Sequence, residues 1–533
     1  MVAKANRVST TKEHMDNFLQ KHGGLVTGIL SGFDRIIFRG YLSQLTQAFY
    51  LVGFLKIVGI PLRDFGEYAI RCATLIKQAA QKSAEEAGRP VIYLPSAHDR
   101  KEALAREMAE RDGIEKGLVV LFTTVEPCMS FEVFGRKERP AIKAATRKCL
   151  HLYHYFIHPK MGLMHVRLQT WFPFNMQVYL NGREWLGRAL DEQNVPYRKS
   201  GNCFTDIADF PRAQQMLDAQ LKINWPKMLD GLAEQYHPTL PAILKGYLAR
   251  YRWSAHESEW ATDVAFKDAA KLARLYPRLT HHAITSFDSP SVMRFLGGRV
   301  LKDGQLHGSQ DGPITTSLKR FPDCVRVRHA VKGNSIKLYN KEETVLRVET
   351  TVKQPKEFKV YRAAEGGKPA TKKWRAMRKG VADMKARAVV GQASNERYLN
   401  ALAAADDEAT LSELLASRCR PVEWRGKRVR GLQPLGKDEQ LLRTISQGEF
   451  MINGFRNRQL RDALFTTPAK DPAEAKRQSA KITRQLRMLR AHGLIEKVRR
   501  THRYQLTPQG RSAVTALIAA TNANIAKLLT LAA

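Results

Sequence analysis

Apolar and polar positions alternate through the first part of the chain in short runs that predict mixed α/β structure. LVTGILSGFDRIIFRGYL (25–42) predicts one or two strands, followed by helical periodicity around 43–58 and 66–87. RPVIYLPS (89–96) reads as a strand, KEALAREMAERDG (101–113) as a helix and GLVVLFTTVEPCMSFEVF (117–134) as further strand. The basic RPAIKAATRKCLHLY (139–153) predicts a helix, FIHPKMGLMHVRLQTWFPFNMQVYL (156–180) a hairpin, and NGREWLGRALDEQ (181–193) a helix. From 210 to 280 the pattern turns helical, with Trp225, Trp253 and Trp260 as core or stacking aromatics.

β character returns over 315–361, and its clearest part is GNSIKLYNKEETVLRVETTVK (333–353), two alternating runs that predict a hairpin. Pairing Leu338 with Leu346 and Ile336 with Val348 keeps the apolar sets together. That register places Lys337, Tyr339, Arg347 and Glu349 on the opposite, polar face. EGGKPATKKWRAMRKG (365–380) has the composition of a basic linker with a long helical stretch behind it, and RPVEWRGKRVRGLQPLGKDE (420–439) makes a second break. The expected organisation is a mixed α+β multidomain body with a C-terminal winged helix-turn-helix domain. Its parts are an N-terminal α/β domain over 1–235, a helical segment over 236–314 and a β-rich segment over 315–364. A basic linker and helical segment follow over 365–435, then a last domain over 436–533.

In that last domain, DEQLLRTISQGEF, FRNRQLRDALF and AEAKRQSAKITRQLRMLRAHGLI predict three helices, and EKVRRTHRYQLTPQG two short strands around a turn. Ile482, Leu486 and Leu489 recur at four and three residues as a buried stripe, leaving Arg477, Lys481, Arg484 and Arg487 largely on other faces. Gly493 sits where a helix-ending glycine is expected. SAKITRQLRMLRAHGLIEKV…HRYQLTPQGR resembles the winged helix-turn-helix domains of MarR-like bacterial regulators over roughly 75 residues. The resemblance implies a third helix in the major groove, and a wing carrying Lys497, Arg499, Arg500 and Arg503 along the adjacent backbone.

Charge narrows the class of partner. The 533 residues hold 87 Lys and Arg against 51 Asp and Glu, a formal net charge of +36. Such an excess repels itself unless an anionic partner offsets it, and nucleic acid, which releases counter-ions for each neutralised phosphate, fits best. DNA and/or RNA is therefore the expected partner, with a homodimer as an expected assembly. FYLVGFLKIVGIPL (49–62) is too short to span a bilayer, and the basic N-terminus lacks the apolar core of a signal peptide. No membrane is expected, and the expected location is cytoplasmic and nucleoid-associated. The cysteines, Cys72, Cys128, Cys149, Cys203, Cys324 and Cys419, form no CxxC pair, which argues against a zinc ribbon or disulfide framework. Basic and aromatic residues interleave at RYRW (250–253), at KKWRAMRK (372–379, with Lys372, Lys373, Trp374 and Arg375) and at VEWRGKRVRG (422–431). That composition suits a phosphate track with stacking side chains.

Two constellations could carry chemistry. SIKLYNK…LRVE (335–349) is similar to a segment of phage and plasmid rolling-circle replication initiators. The resemblance implies Tyr339 as nucleophile, Lys341 as its neighbour and Glu349 as a ligand for Mg²⁺ or Mn²⁺, with Lys337 and Arg347 as phosphate contacts. Separately, Asp34 in SGFDRIIFRG opens a hydrophobic strand as in RNase H-like nucleases and transposases. Glu126 or Glu132 is then the second acid and Asp206 the third of a metal site. The plain alternatives are a solvated hairpin with cross-strand ion pairs, and an Asp34 that caps a turn or pairs with Arg35 or Arg39. His151, His154 and His158 would share a helix face and could form a metal site, but Pro159 and the neighbouring aromatics point to packing and phosphate contact. The reading is a nucleic-acid-binding protein of mobile-element type, either a metal-dependent strand-cleaving replication initiator or a transposase-like nuclease. The alternative is a non-catalytic DNA- or RNA-binding protein without a cofactor, either a transcription regulator or the protein half of a ribonucleoprotein.

Overall fold

The computed structural model describes residues 16–96, 98–136, 139–298, 312–321, 324–364, 373–403, 415–416, 418–447, 450, 454–465, 467, 469–498 and 501–522. The fold is mixed α+β. In chain order the strands are β1 (Val26–Tyr41), β2 (Val91–Tyr93), β3 (Gly117–Arg136), β4 (Arg139–His158), β5 (Gly162–Gln169) and β6 (Met176–Asn181). A small hairpin, β7 (Tyr197–Ser200) and β8 (Cys203–Ile207), precedes β9 (Arg252–Phe266), β10 (Ile314–Arg320), β11 (Val325–Val331), β12 (Asn334–Lys341) and β13 (Val345–Val352).

All but β7 and β8 join one eleven-stranded sheet, ordered β10-β11-β12-β13-β9-β1-β6-β5-β4-β3-β2. Only the β2–β3 pair is parallel. Segments 1–235, 236–314 and 315–364 therefore share a sheet, and the hairpin of 333–353 lies two places from β1.

Two faces of this sheet are buried differently. On one, helices Ala48–Ile57, Phe65–Glu86 and Trp225–Tyr236 cover Phe33, Ile36, Phe38, Leu152 and Val178, with Trp225, Trp253 and Trp260 in the core. On the other, helices Gly182–Glu192 and Phe210–Asp218 pack on Leu30 and Ala265, and helix Lys101–Arg111 packs on Val120, Phe122 and Tyr155. Glycines let the second layer sit close. A Cβ at Gly28 would lie 2.1 Å from the Phe210 ring, and one at Gly32 would lie 2.5 Å from Leu217. Between those helices the second face keeps a polar surface.

Three local expectations are corrected. Residues 139–153 form β4, not a helix, because β3 offers a continuous antiparallel partner from Arg136↔Arg139 to Val120↔Tyr155, with a register shift only beyond Val120, that overrides helix-favouring side chains. His151, His154 and His158 thus lie along a strand and share no helix face. Residues 252–266 are strand β9 inside the stretch expected to be helical. The 333–353 hairpin is real, but it pairs Leu338 with Val348 and Ile336 with Thr350, two residues away from the expected register. A shift of two keeps every side chain on its own face, so the expected polar set survives.

A second compact unit contains 277–294 and most of the chain after residue 400. Its C-terminal part runs helix Glu439–Ile445, helix Asn457–Leu464, helix Pro472–Ala491, strands Ile495–Lys497 and Tyr504–Leu506, and helix Pro508–Asn522. Ile482, Leu486 and Leu489 are buried there with Leu441, Leu460, Leu494 and Leu506. Gly493, just past the long helix, has φ +68°. Among the described residues no helix is long and apolar enough to cross a membrane.

Candidate catalytic centre on the polar sheet face

A β-bulge creates the site. On β1 and β9, Phe33 pairs with Trp260 and Arg35 with Glu259, which leaves Asp34 as an extra residue. A bulge re-aims side chains, and here two consecutive residues, Asp34 and Arg35, both serve the polar face. The first turn of helix Gly182–Glu192 presses on this bulge. A Cβ at Gly182 would lie 2.0 Å from the Phe33 carbonyl oxygen, so only glycine admits that approach.

Strand alternation supplies the rest. On β9, Glu257, Glu259 and Asp263 project to the polar face; on β13, Arg347 lies opposite Asp263 and Glu349 opposite Ala261. On β12, Lys337 is opposite Glu349 and Tyr339 opposite Arg347. Carboxylate oxygens of Asp34, Glu259 and Glu349 all come within 4.8 Å of one another, and the three side chains are buried.

These groups form two linked chains of charge. Lys337 Nζ donates to Glu349 Oε1 at 2.5 Å and to Glu259 Oε1 at 2.9 Å. Arg35 Nη2 bridges Glu259 (2.8 Å) and Glu257 (2.6 Å), and Lys353 reaches Glu257 at 2.7 Å at the exposed end. In the second chain, Arg347 grips Asp263 with Nε (2.5 Å) and Nη2 (2.8 Å) and extends Nη1 to Asp34 at 3.3 Å. Arg183 adds a contact to Asp263 at 3.0 Å. Asn202, in the β7–β8 turn, donates its side-chain amide to both oxygens of Asp34 at 2.7 and 2.8 Å. Tyr339 donates its hydroxyl to Glu349 Oε2 at 2.7 Å.

Burial and neighbours divide the protons. Burial pushes the Tyr339 hydroxyl well above its usual range, and the Glu349 carboxylate adds to this, so the group is a phenol. Burial alone would raise Glu349, but the Lys337 ammonium, the Tyr339 hydroxyl and Arg347 outweigh it and hold the carboxyl at about 2. Glu259 is raised by burial and by Glu349 beside it, against the pull of Lys337 and Arg35. Asp263 would be raised by burial, but Arg347 and Arg183 hold it low.

Oxygen donors alone make up the acidic triad, a set that suits a hard divalent cation such as Mg²⁺ or Mn²⁺. Lys337 already brings one positive charge to the Glu259–Glu349 edge, from a flexible four-carbon arm that can swing aside. The residues therefore fit a cation, with Lys337 as its competitor.

Two separate expectations meet here, since Asp34 and the Tyr339–Glu349 pair are neighbours. The other acids expected with Asp34 are elsewhere. Glu126 is on β3, with β6, β5 and β4 between it and β1, and it accepts from Tyr153 (2.7 Å) and Arg167 (2.6 Å). Glu132 pairs with Lys143 and Arg147, and Asp206 with Arg198. Glu257, Glu259, Asp263, Arg183 and Asn202 were not anticipated. The acids spaced by two in HESE, with a third four residues on, were the available signal, hidden by reading 210–280 as helical.

The expected nucleic-acid contacts are placed unevenly. Arg347 is fully buried and committed to Asp263 and Asp34, and Lys337 is largely buried between carboxylates, so both serve the site's interior. Lys373 and Trp374 are exposed on the strand Lys373–Ala376, with Arg375 half-buried. Arg477, Lys481, Arg484 and Lys497 are exposed, and Arg487 and Arg503 half-buried. Lys372, Arg499 and Arg500 lie outside the described residues. Comparison of the chain with family models, with curated proteins and with solved structures gives no match.

Proposed function

We propose that this protein cleaves nucleic-acid strands, using Asp34, Glu259 and Glu349 to hold a divalent cation and Tyr339 as the nucleophile. The observation that carries the reading is the convergence of three buried carboxylates and a phenol hydroxyl from four adjacent strands. A cation held by Asp34, Glu259 and Glu349 would supply positive charge that favours the phenolate and polarises a phosphoryl oxygen. Tyr339 Oη attacks the phosphorus as its proton passes to Glu349. The 3′-oxygen leaves and takes a proton from solvent, and the 5′-phosphate stays esterified to Tyr339. Arg35 and Lys353, at the open end of the charge chain, offer contacts to the flanking phosphates.

The C-terminal elements support a winged-helix reading of that unit. Their order of three helices, a short hairpin and a final helix agrees with it, as do the exposed Arg477, Lys481, Arg484 and Lys497. Such a module would hold the target while the sheet face cuts it.

Lys337 motivates a second reading. An ammonium at 2.5 and 2.9 Å from two of the three carboxylates is also how a purely structural ion network is neutralised, which would leave a non-catalytic nucleic-acid binder. Incubation of the protein with labelled single-stranded DNA and RNA in Mg²⁺ or Mn²⁺ separates the two. Cleavage that is lost in Asp34→Asn and Glu259→Gln supports the enzyme. Tight binding without cleavage of any substrate supports the binder.

A further inference from the structure

The polar sheet face does not end at the acidic triad. Two residues further along β1 from Ile37, Arg39 lies opposite Gln177 of β6, Gln177 opposite Arg167 of β5, and Arg167 opposite Tyr153 of β4. This row stands four residues along β1 from Arg35, on the order of 14 Å at about 3.4 Å per residue. Arg39 is exposed, and Lys353 is exposed nearer the triad.

Beyond that row, β3 and β4 leave the sheet as a two-stranded ribbon. β5 pairs with β4 only from His151 onward, and β2 pairs with β3 only over Leu121–Thr123. Among the described residues, 124–136 and 139–150 therefore have each other as their only strand partners. On the ribbon's apolar side, Phe131, Val133, Ile142 and Leu150 pack toward the helices of the first layer. Alternation puts Arg139, Lys143 and Arg147 on the other side, the same strand face as Arg167 and Tyr153. Lys143 and Arg147 keep 56% and 49% of their side chains exposed.

Acids on this path are outnumbered. Glu126 is held by Arg167, Glu257 is shared by Arg35 and Lys353, and Glu132 is shared by Lys143 at 4.0 Å and Arg147 at 3.3 Å. Solvent-exposed pairs of the last kind are weak and readily exchanged for phosphate. Partial desolvation first, and the nearby Arg167 charge second, lower the Arg39 guanidinium from its usual value against the pull of Glu257.

We infer that this face is a backbone track for a nucleic-acid strand, running from the acidic triad past Lys353, Arg39 and Arg167 and out along the β3–β4 ribbon over Arg147, Lys143 and Arg139. The inference rests on the proposed strand cleavage for its direction, yet it concerns binding and needs no turnover. It accounts for the ribbon, a feature that the chemistry at Tyr339 does not use. It also assigns the charge of 139–148, which the sequence alone placed on a helix.

Binding of a labelled single-stranded DNA oligonucleotide to the full chain in EDTA, over a range of salt, tests the track. For single strands the slope of log K against log salt becomes shallower by about 0.7 for each phosphate that is no longer neutralised. The triple variant Arg39→Gln/Lys143→Gln/Arg147→Gln should bind more weakly, with a slope shallower by about 2. All three side chains are exposed enough to change without unfolding the chain, which a thermal melt checks. The matched control, Arg71→Gln/Lys77→Gln/Lys82→Gln on helix Phe65–Glu86, removes the same charge from the other layer and should leave the slope near wild type. Equal weakening in both variants, or none in the first, overturns the track. Because binding is read without metal, a chain that binds along the track yet does not cut when Mg²⁺ or Mn²⁺ is supplied sinks the cleavage reading and leaves this one standing.

Discussion

Tyr339 gives its hydroxyl hydrogen to one oxygen of Glu349 at 2.7 Å while the other oxygen takes the Lys337 ammonium at 2.5 Å. The glutamate is thus held ionised from both sides, and the phenol is aimed at the base that would receive its proton. Removal of the hydroxyl leaves Glu349 with Lys337 still in place. Tyr339→Phe should therefore cost about 1.5–3 kcal/mol of stability, the worth of a hydrogen bond to a charged group, in a denaturant melt. Cleavage should disappear altogether. A variant that cuts normally would remove Tyr339 from the chemistry.

Lys337 decides between a metal site and an ion network. In Lys337→Met the Glu259–Glu349 edge loses its cation, both carboxyls rise and the chain melts earlier in EDTA. If the triad binds a divalent cation, millimolar Mn²⁺ should restore much of that loss, since a ligand bound only by the folded state stabilises in proportion to the logarithm of its concentration over its Kd. The wild type should gain less, because its ammonium competes. An unchanged melting temperature in Mn²⁺ for both proteins would favour the structural network.

Arg347 is fully buried between Asp263 and Asp34. Truncating one partner of such a pair strands the other charge away from water, at about 3–5 kcal/mol. Arg347→Met should show a loss of that size in a chemical melt. Arg347→Lys should rescue little of it, because an ammonium cannot reproduce the two-pronged contact with Asp263. A change below about 1 kcal/mol would mean that the pair is solvated.

Acid should loosen the fold through its buried histidines. Burial pushes His151, His154 and His329 down to about 4, and His165 and His237 to about 3, with Arg167 adding to the effect at His165. In the unfolded chain they titrate near about 6.5, so it binds more protons between these values. The stability from keeping these rings neutral is full above about pH 6.5. It drains as pH falls toward 4, by up to about 1.4 kcal/mol per pH unit for each ring fully in that window. The melting temperature should fall steadily from pH 7 to pH 5 and flatten above 7. A flat profile across that range would show the rings to be hydrated.

Much of the site was legible because β-strand alternation survives errors of register. The expected pairing of Leu338 with Leu346 and Ile336 with Val348 was two residues out, but a period of two returned Lys337, Tyr339, Arg347 and Glu349 to one face. Asp34 was legible as a strand acid, while the bulge that turns it beside Arg35 was not, since a bulge depends on how β9 pairs with β1. Glu259 and Asp263 were lost with β9, which lay inside the stretch 210–280 expected to be helical and is made a strand by β1 and β13 on either side. The same physics hid β4: RPAIKAATRK has side chains that suit a helix, and only a 20-residue partner in β3 makes it a strand.

The central claim, that Tyr339 is the nucleophile of a cation-dependent strand cleavage, is tested most directly by mass spectrometry. Single-stranded DNA is incubated with the protein and Mn²⁺, quenched in denaturant and digested with nuclease and protease. The account requires a peptide containing Tyr339 that carries a nucleotide through a phosphotyrosine bond, present with Mn²⁺ and absent in EDTA and in Asp34→Asn. Cleaved DNA with no adduct, or an adduct on another residue, would contradict it.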